Sequence, residues 1–293
     1  MSSRRLIPMI VLGAVTLASP GAAAPPCLEH ELGVVTAMPR ALRPGVSHAQ
    51  LVDAIAPVIR DELGLPFARH HKVYICDDET AFTEGLLRNF GAGAVGGAWT
   101  IVPSAAGLAT RVGVFLRGDY LTRADLQRRV TVVAHELAHL SQQELAGSGD
   151  DRLPVWLLEG HADWVAYQVL DRLKLRPYGE SRDGVARSVA GAVTPVEHFP
   201  DLDALAGHAA WNRSARSIAA TYGQAFLAVE FLIGRSSHAA LTRFLGVGGA
   251  DDFRERWPTA FSTSYRDFAE AFRAHLKTVG RPATGPAVEP PRP

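Results

Sequence analysis

The chain has 293 residues, 47% hydrophobic and 20% charged, which is ordinary for a globular protein and enough for one large domain or two small ones. Thirty basic and thirty acidic side chains cancel, and no basic stripe interrupts the balance, so an electrostatic nucleic-acid binder is excluded. Beyond the first residues no segment approaches the roughly 18 unbroken apolar residues of a membrane span.

Arg4 and Arg5, the apolar stretch 6–18 and the small residues Ser19-Pro20-Gly21-Ala22-Ala23 read as a secretion signal over 1–23, cut after Ala23. Its apolar part is too short to span a bilayer. The processed protein is therefore expected to be secreted or periplasmic, without stable membrane insertion. Cutting there removes two arginines and no acid from the thirty of each, leaving a net charge of −2. The two cysteines, Cys27 and Cys76, both remain. In an oxidising compartment an even pair is most simply a disulfide, which would pin the new N-terminus to the strand around Val73-Tyr74-Ile75. The alternative is that the Cys27 thiolate covers a metal and keeps the protein latent.

Residues 24–46 read as an irregular arm. Ser47 is an N-cap, and Leu51, Ile55, Val58, Ile59 and Leu63 recur with helical spacing over 48–63. A short strand follows at 72–76 and a short helix at 80–89. The glycine-rich stretch 91–97 reads as a loop, without the Gly-Lys-Ser/Thr ending of a phosphate loop. Stretches 98–102 and 111–117 read as two strands, paired as a hairpin. From about 122 the chain turns helical, over 123–145, 155–174, 183–191, 214–234, 237–246 and 264–277. The tail from 280 holds five of the nineteen prolines and no apolar pattern, so it is expected to be disordered. The organisation is α+β: an N-terminal α/β part over 24–121, a helical part over 122–279 and a proline-rich tail over 280–293.

Within the 123–145 helix stands His135-Glu136-Leu137-Ala138-His139. Four residues turn an α-helix by about 400°, so the two imidazoles point the same way, about 40° apart, and can grip one metal ion. Glu136 lies about 100° round and can face a water on that metal. Twenty residues beyond His139 comes Glu159, in Trp156-Leu157-Leu158-Glu159-Gly160-His161-Ala162-Asp163. Three protein ligands leave a fourth position open, the arrangement of a catalytic rather than a structural Zn2+. A His-Glu-x-x-His run with a Glu at that one later spacing arises by chance in about 0.1% of shuffled chains, so a helix with merely buried histidines is the weaker reading. Zinc itself follows from ligand type, and other divalent ions suit the same donors.

These ligands have the spacing of the gluzincin zinc peptidases, the group that includes thermolysin and the zinc aminopeptidases. The phrase from Trp156 to Trp164 resembles the small "peptidase MA-like" branch more than thermolysin itself. The resemblance covers roughly residues 70 to 277, with only the ligand motifs specific. It implies a zincin-like fold, with His135, His139 and Glu159 on the metal, Glu136 as general base, and strands above the metal whose edge an extended peptide can pair with. It also implies that Asp163, four residues after the Glu ligand, orients His135 through its other ring nitrogen. The related aminopeptidases place an oxyanion-stabilising Tyr some sixty residues beyond the Glu ligand, and Tyr222 stands at that distance. His208 and His161 are weaker candidates for that donor; His161 points to the opposite side of its helix from the ligand. His70 and His71 read as a solvated pair. The sequence departs from the aminopeptidases at Gly96-Gly97-Ala98-Trp99-Thr100, which lacks the Met, Glu and Asn of their amino-group site. An endopeptidase acting on peptide or protein substrates is therefore the expectation. The alternative is a secreted zinc protein that binds a peptide or protein in the same groove without cleaving it.

Overall fold

The computed structural model describes residues 27–32, 42–68, 70–95, 105–111, 113–147, 152–218, 220–247 and 252–279, with 90–95 given by backbone alone. The expected leader, the 98–102 strand, the segment 96–100 and the tail from 280 lie outside the described residues. The described chain is α+β, with a small mixed sheet followed by a mainly helical part.

Four strands make the sheet: β1 (Leu28–Glu31), β2 (Lys72–Cys76), β3 (Gly107–Thr110) and β4 (Gly113–Arg117), in the order β1-β2-β4-β3. β2 and β4 run parallel; the outer pairs are antiparallel. Strand side chains alternate between faces. Val73, Ile75, Val114 and Leu116 join the main core, while Cys76 and Phe115 face the other way, onto Ala81, Phe82 and Leu86 of α2 (Glu79–Val95). Tyr74 stacks on Phe115, with ring centroids 4.4 Å apart.

β1 corrects the expectation of an irregular arm. Its sequence, Leu-Glu-His-Glu, carries no apolar alternation, so nothing local marks it as a strand. Tertiary ties hold it: the Cys27–Cys76 disulfide, formed as expected, the Lys72–Glu29 ion pair at 2.7 Å and the His30–Asp53 contact at 2.8 Å. The loop expected at 91–97 is also corrected, because α2 runs on to Val95. Glycine weakens a helix by only about 1 kcal/mol relative to alanine. A helix already started by Asp78, whose carboxylate accepts from the Ala81 N–H at 2.9 Å, can carry through Gly91 and Gly93.

Ser47 caps α1 (His48–Pro57) in a reciprocal box with Gln50. Pro57 lacks the N–H that would continue the ladder, and the helix goes on as a wider π turn over Val58–Glu62. Leu51, Ile55, Val58, Ile59 and Leu63 are buried, as their spacing predicts.

The helical part begins earlier than expected, with α3 (Gly118–Arg123). Asp125 then caps α4 (Leu126–Ala146) by accepting from the Arg128 N–H at 2.8 Å. α5 is Val155–Arg172 and α6 is Tyr178–Ala190. α6 starts before the expected 183 because the Tyr178 N–H is met from another helix, by Asp171 of α5 at 3.3 Å. The helix expected over 214–234 is two: α7 (His208–Ser217) and α8 (Thr221–Arg235). The chain turns extended at Ile218, and the buried Thr221 hydroxyl closes the corner on Ser214 Oγ at 2.8 Å and on the Ile218 carbonyl at 2.9 Å. α9 (His238–Gly246), α10 (Phe253–Phe261) and α11 (Tyr265–Leu276) complete the chain. α10 contains Pro258, which hides its helical spacing of Phe253, Trp257 and Phe261. Those rings pack with Trp156 and Phe268. One continuous core runs from Leu51 of α1 to Leu276 of α11, joining sheet and helices. Among the described residues no single helix is long and apolar enough to cross a membrane.

α5 and α8 touch backbone to backbone at Gly160, where a Cβ would lie 2.2 Å from the Ala225 carbonyl oxygen. A carbonyl in a buried helix cannot swing aside. Gly160→Ala is therefore expected to destabilise the fold by about 3 kcal/mol or more, read as a lowered Tm. An unchanged Tm would mean that the two helices separate without cost.

Candidate metal centre

α4 and α5 pack side by side, and the cluster arises on their shared face. His135 and His139 come from α4; Glu159 comes from the second turn of α5. Their Nε2, Nε2 and Oε2 atoms converge. The two histidine nitrogens are 3.1 Å apart, and Glu159 lies 3.3 Å from His135 and 3.7 Å from His139. Four donors at about 2.0–2.2 Å from a tetrahedral ion stand roughly 3.3 Å from one another, so the spacing fits. Among the described residues this is the one group of His, Cys, Asp or Glu able to hold a metal ion.

The protonation pattern points the same way. His135 Nδ1 lies 2.8 Å from Asp163 Oδ1, and His139 Nδ1 lies 2.8 Å from Gln142 Oε1. Both partner oxygens accept, so each Nδ1 carries the proton and each Nε2 presents a lone pair. Three lone-pair atoms then face one another, a repulsive arrangement that a cation relieves. Protons compete with a cation for the same lone pairs. Burial lowers the His135 pKa, but Asp163 and Glu159 outweigh it and raise it well above the usual value. His139 is likewise raised against burial, mainly by Glu159. Burial raises Glu159, yet the two imidazoles pull its carboxyl far below the usual range. Metal would have to displace those protons.

Glu136 does not belong to the converging set. Its carboxylate faces β3, where it takes a backbone hydrogen bond from Ala109, and burial raises its pKa. Gly107 leaves the room: a Cβ there would lie 2.7 Å from Glu136 Cγ. The expected Asp163–His135 contact is present. Tyr222 stands at the start of α8, with its ring 6.4 Å from that of His135 and 5.0 Å from that of Trp211 on α7. The break between α7 and α8 creates this placement, since one straight helix would carry the two rings along a single rod. Tyr222 is exposed at the cleft, yet partial desolvation of its phenol there, then the nearby Glu159 carboxylate, push it above its usual pKa, so it keeps its proton as a donor.

All these groups line one cleft of about 720 Å³, whose lining also includes Ala105–Ala109, His208, Trp211 and Tyr222. Its lining carries Glu136, Glu159 and Asp163 against Arg128 as the single Lys or Arg among the described residues, a balance that favours a divalent cation.

The other histidines singled out in the sequence do not join the ligands. His208 is on the cleft wall. His71 corrects the expected solvated pair: it is 4% exposed, and its Nδ1 accepts from the Ala68 N–H at 3.2 Å, closing a tight turn that only the folded chain makes. His161 lies outside the ligand set, as its position on the helix predicts, and is fully buried against Gln142 and His238. Gln142 is the residue that sequence reasoning passes over. Its one signal is position, three residues after His139 and so on the same helix face.

Burial lowers the His238 pKa from 6.5 to about 4 and holds the ring neutral against Trp164, with centroids 4.4 Å apart. Between those two values the unfolded chain binds a proton there and the folded chain does not. This part of the stability is complete above pH 6.5 and is lost as the pH falls toward 4. Tm should therefore drop across that interval, less steeply in His238→Phe, which keeps the stacking and removes the titration. Equal slopes for the two proteins would assign the acid sensitivity to other groups.

No protein-family model, curated protein or solved structure matches the chain.

Proposed function

We propose that the protein is a zinc-dependent peptidase of the gluzincin type with a zincin-like fold, acting outside the cytoplasm. The observation that carries this reading is the division of labour around one point. Three lone-pair atoms of His135, His139 and Glu159 converge there, while Glu136 stands beside them, uncommitted to that cluster and facing the cleft. A metal held for structure alone would need no such carboxylate, and a fourth protein ligand would close the shell.

Bound zinc would supply an acidified water and a Lewis acid for a substrate carbonyl. This chain's residues do the rest. His135, His139 and Glu159 hold the ion, and Asp163 fixes the His135 ring and its tautomer. Glu136, made more basic by burial, takes the proton of the attacking water and passes it to the leaving amine. Tyr222, protonated at neutral pH and beside His135, donates to the developing oxyanion.

A peptide is the substrate this cleft suits. β3 is the outer strand of the described sheet, beside β4, and Gly107–Ala109 of it, with Ala105 and Ala106 just before it, line the cleft next to Glu136. An extended chain laid along it would gain main-chain hydrogen bonds and bring its carbonyl to the metal. The segment expected to distinguish an aminopeptidase, 96–100, lies outside the described residues, so endopeptidase action rests on its sequence. Secretion is supported by the disulfide and by the leader-like start of the chain.

The test pairs metal analysis with a peptide-library digest. About one zinc per chain and chelator-sensitive cleavage within peptides are expected. Bound zinc without any cleavage would instead favour a peptide-binding groove.

A further inference from the structure

We infer that Gln142 is the positioning residue that couples the second histidine ligand to the carboxylate ligand across the two helices. The inference rests on the metal-centre reading above and adds a part that the ligand motif does not contain.

The geometry leaves the amide one orientation. Gln142 is 2% exposed. Its Nε2 donates to the Leu158 carbonyl at 2.8 Å, and its Oε1 must then face His139 Nδ1, also at 2.8 Å. Leu158 immediately precedes Glu159. One planar amide thus spans from the ring of one ligand on α4 to the backbone that carries another ligand on α5. Because Oε1 can only accept, it fixes the proton of His139 on Nδ1 and leaves Nε2 bare toward the site.

A second brace holds the amide from behind. The other Nε2 hydrogen points to His161 Nδ1 at 3.1 Å, and His161 is fully buried. His161 Nδ1 therefore accepts, its Nε2 carries the ring proton, and that proton goes to His238 Nε2 at 3.1 Å. Both rings stack on Trp164. Only a side chain with an acceptor and a two-proton donor in one plane can serve His139, Leu158 and His161 together. The two ligand histidines are thus oriented differently, His135 by a charged carboxylate and His139 by a neutral amide tied to the opposite helix.

The test compares Gln142→Met with Gln142→Glu. Methionine keeps the volume and loses every hydrogen bond. Glutamate keeps the acceptor for His139 and loses the donors. If Gln142 positions the ligands, zinc affinity measured by chelator competition should fall about 10–100-fold in Gln142→Met, and by a smaller factor in Gln142→Glu, which keeps the acceptor for His139 but sets an oxygen against the Leu158 carbonyl. The visible spectrum of the Co2+-loaded protein at saturating metal should change in Gln142→Met, which reports coordination apart from overall folding. A residue that only fills space gives the reverse order, with methionine harmless and the buried carboxylate damaging. Unchanged zinc affinity in Gln142→Met overturns the inference. Failure of the unmodified protein to bind a divalent ion overturns the metal-centre reading itself, and the positioning role with it.

Discussion

Glu136→Gln is expected to keep the bound metal and to lower kcat by about 10²–10⁴-fold, the usual contribution of a positioned general base. The substitution is nearly isosteric and leaves His135, His139 and Glu159 untouched, so metal content should equal that of the unmodified protein. What it removes is a proton acceptor. The Glu136 carboxylate lies partly buried beside β3, where desolvation raises its basicity. An amide in the same place can still accept the Ala109 hydrogen bond but cannot take a proton at neutral pH. KM should move little, because the carboxylate is needed for the step rather than for holding the peptide. Metal stoichiometry and steady-state kinetics on the same preparation make the check. Full activity in Glu136→Gln would remove Glu136 from the mechanism.

The second large effect concerns the fold. The Cys27–Cys76 bridge closes a loop with a sequence separation of 49 residues. In the chain-entropy model a loop of this length is worth about 4 kcal/mol of stability through constraint of the unfolded chain. For a domain of this size that amounts to a Tm lower by roughly 10 °C or more in the Cys27→Ser, Cys76→Ser double variant. The loss should be larger than from either neighbouring ion pair alone, since Lys72–Glu29 is solvent-exposed. β1 has few other ties, so it should be the first element to lose hydrogen-exchange protection in the variant. A Tm unchanged on reduction of the native protein would mean that the sheet does not depend on the bridge. The bridge also engages Cys27, which removes the sequence alternative of a Cys27 thiolate lying over the metal.

The metal cluster was legible because its parts are local. His135 and His139 lie one helical turn apart, and apolar neighbours commit them to a helix; so do Glu159 and Asp163 on the next one. Spacing on a helix fixes direction in space, so once two such helices pack, the donors meet. The cap at Ser47 was legible for the same reason, since a cap is a bond between residues three apart. The disulfide needed no pattern beyond having two cysteines.

Other features were decided only in three dimensions. β1 has a sequence without strand character and exists because a covalent bond and two polar contacts hold it to β2 and α1. The corner between α7 and α8 depends on Ser214 and Thr221 meeting in the core, and it carries Tyr222 and Trp211 to the cleft wall. Gly160 looks like any helix glycine until Ala225 arrives from α8. Gln142 is an ordinary helix residue until Leu158 and His161 reach it from α5. The sequence by itself determined which side chains could meet around a metal ion, because helix periodicity is a short-range property. The tertiary structure decided how those side chains are held, walled and oriented, because the partners lie far apart in the chain and meet only when the helices pack.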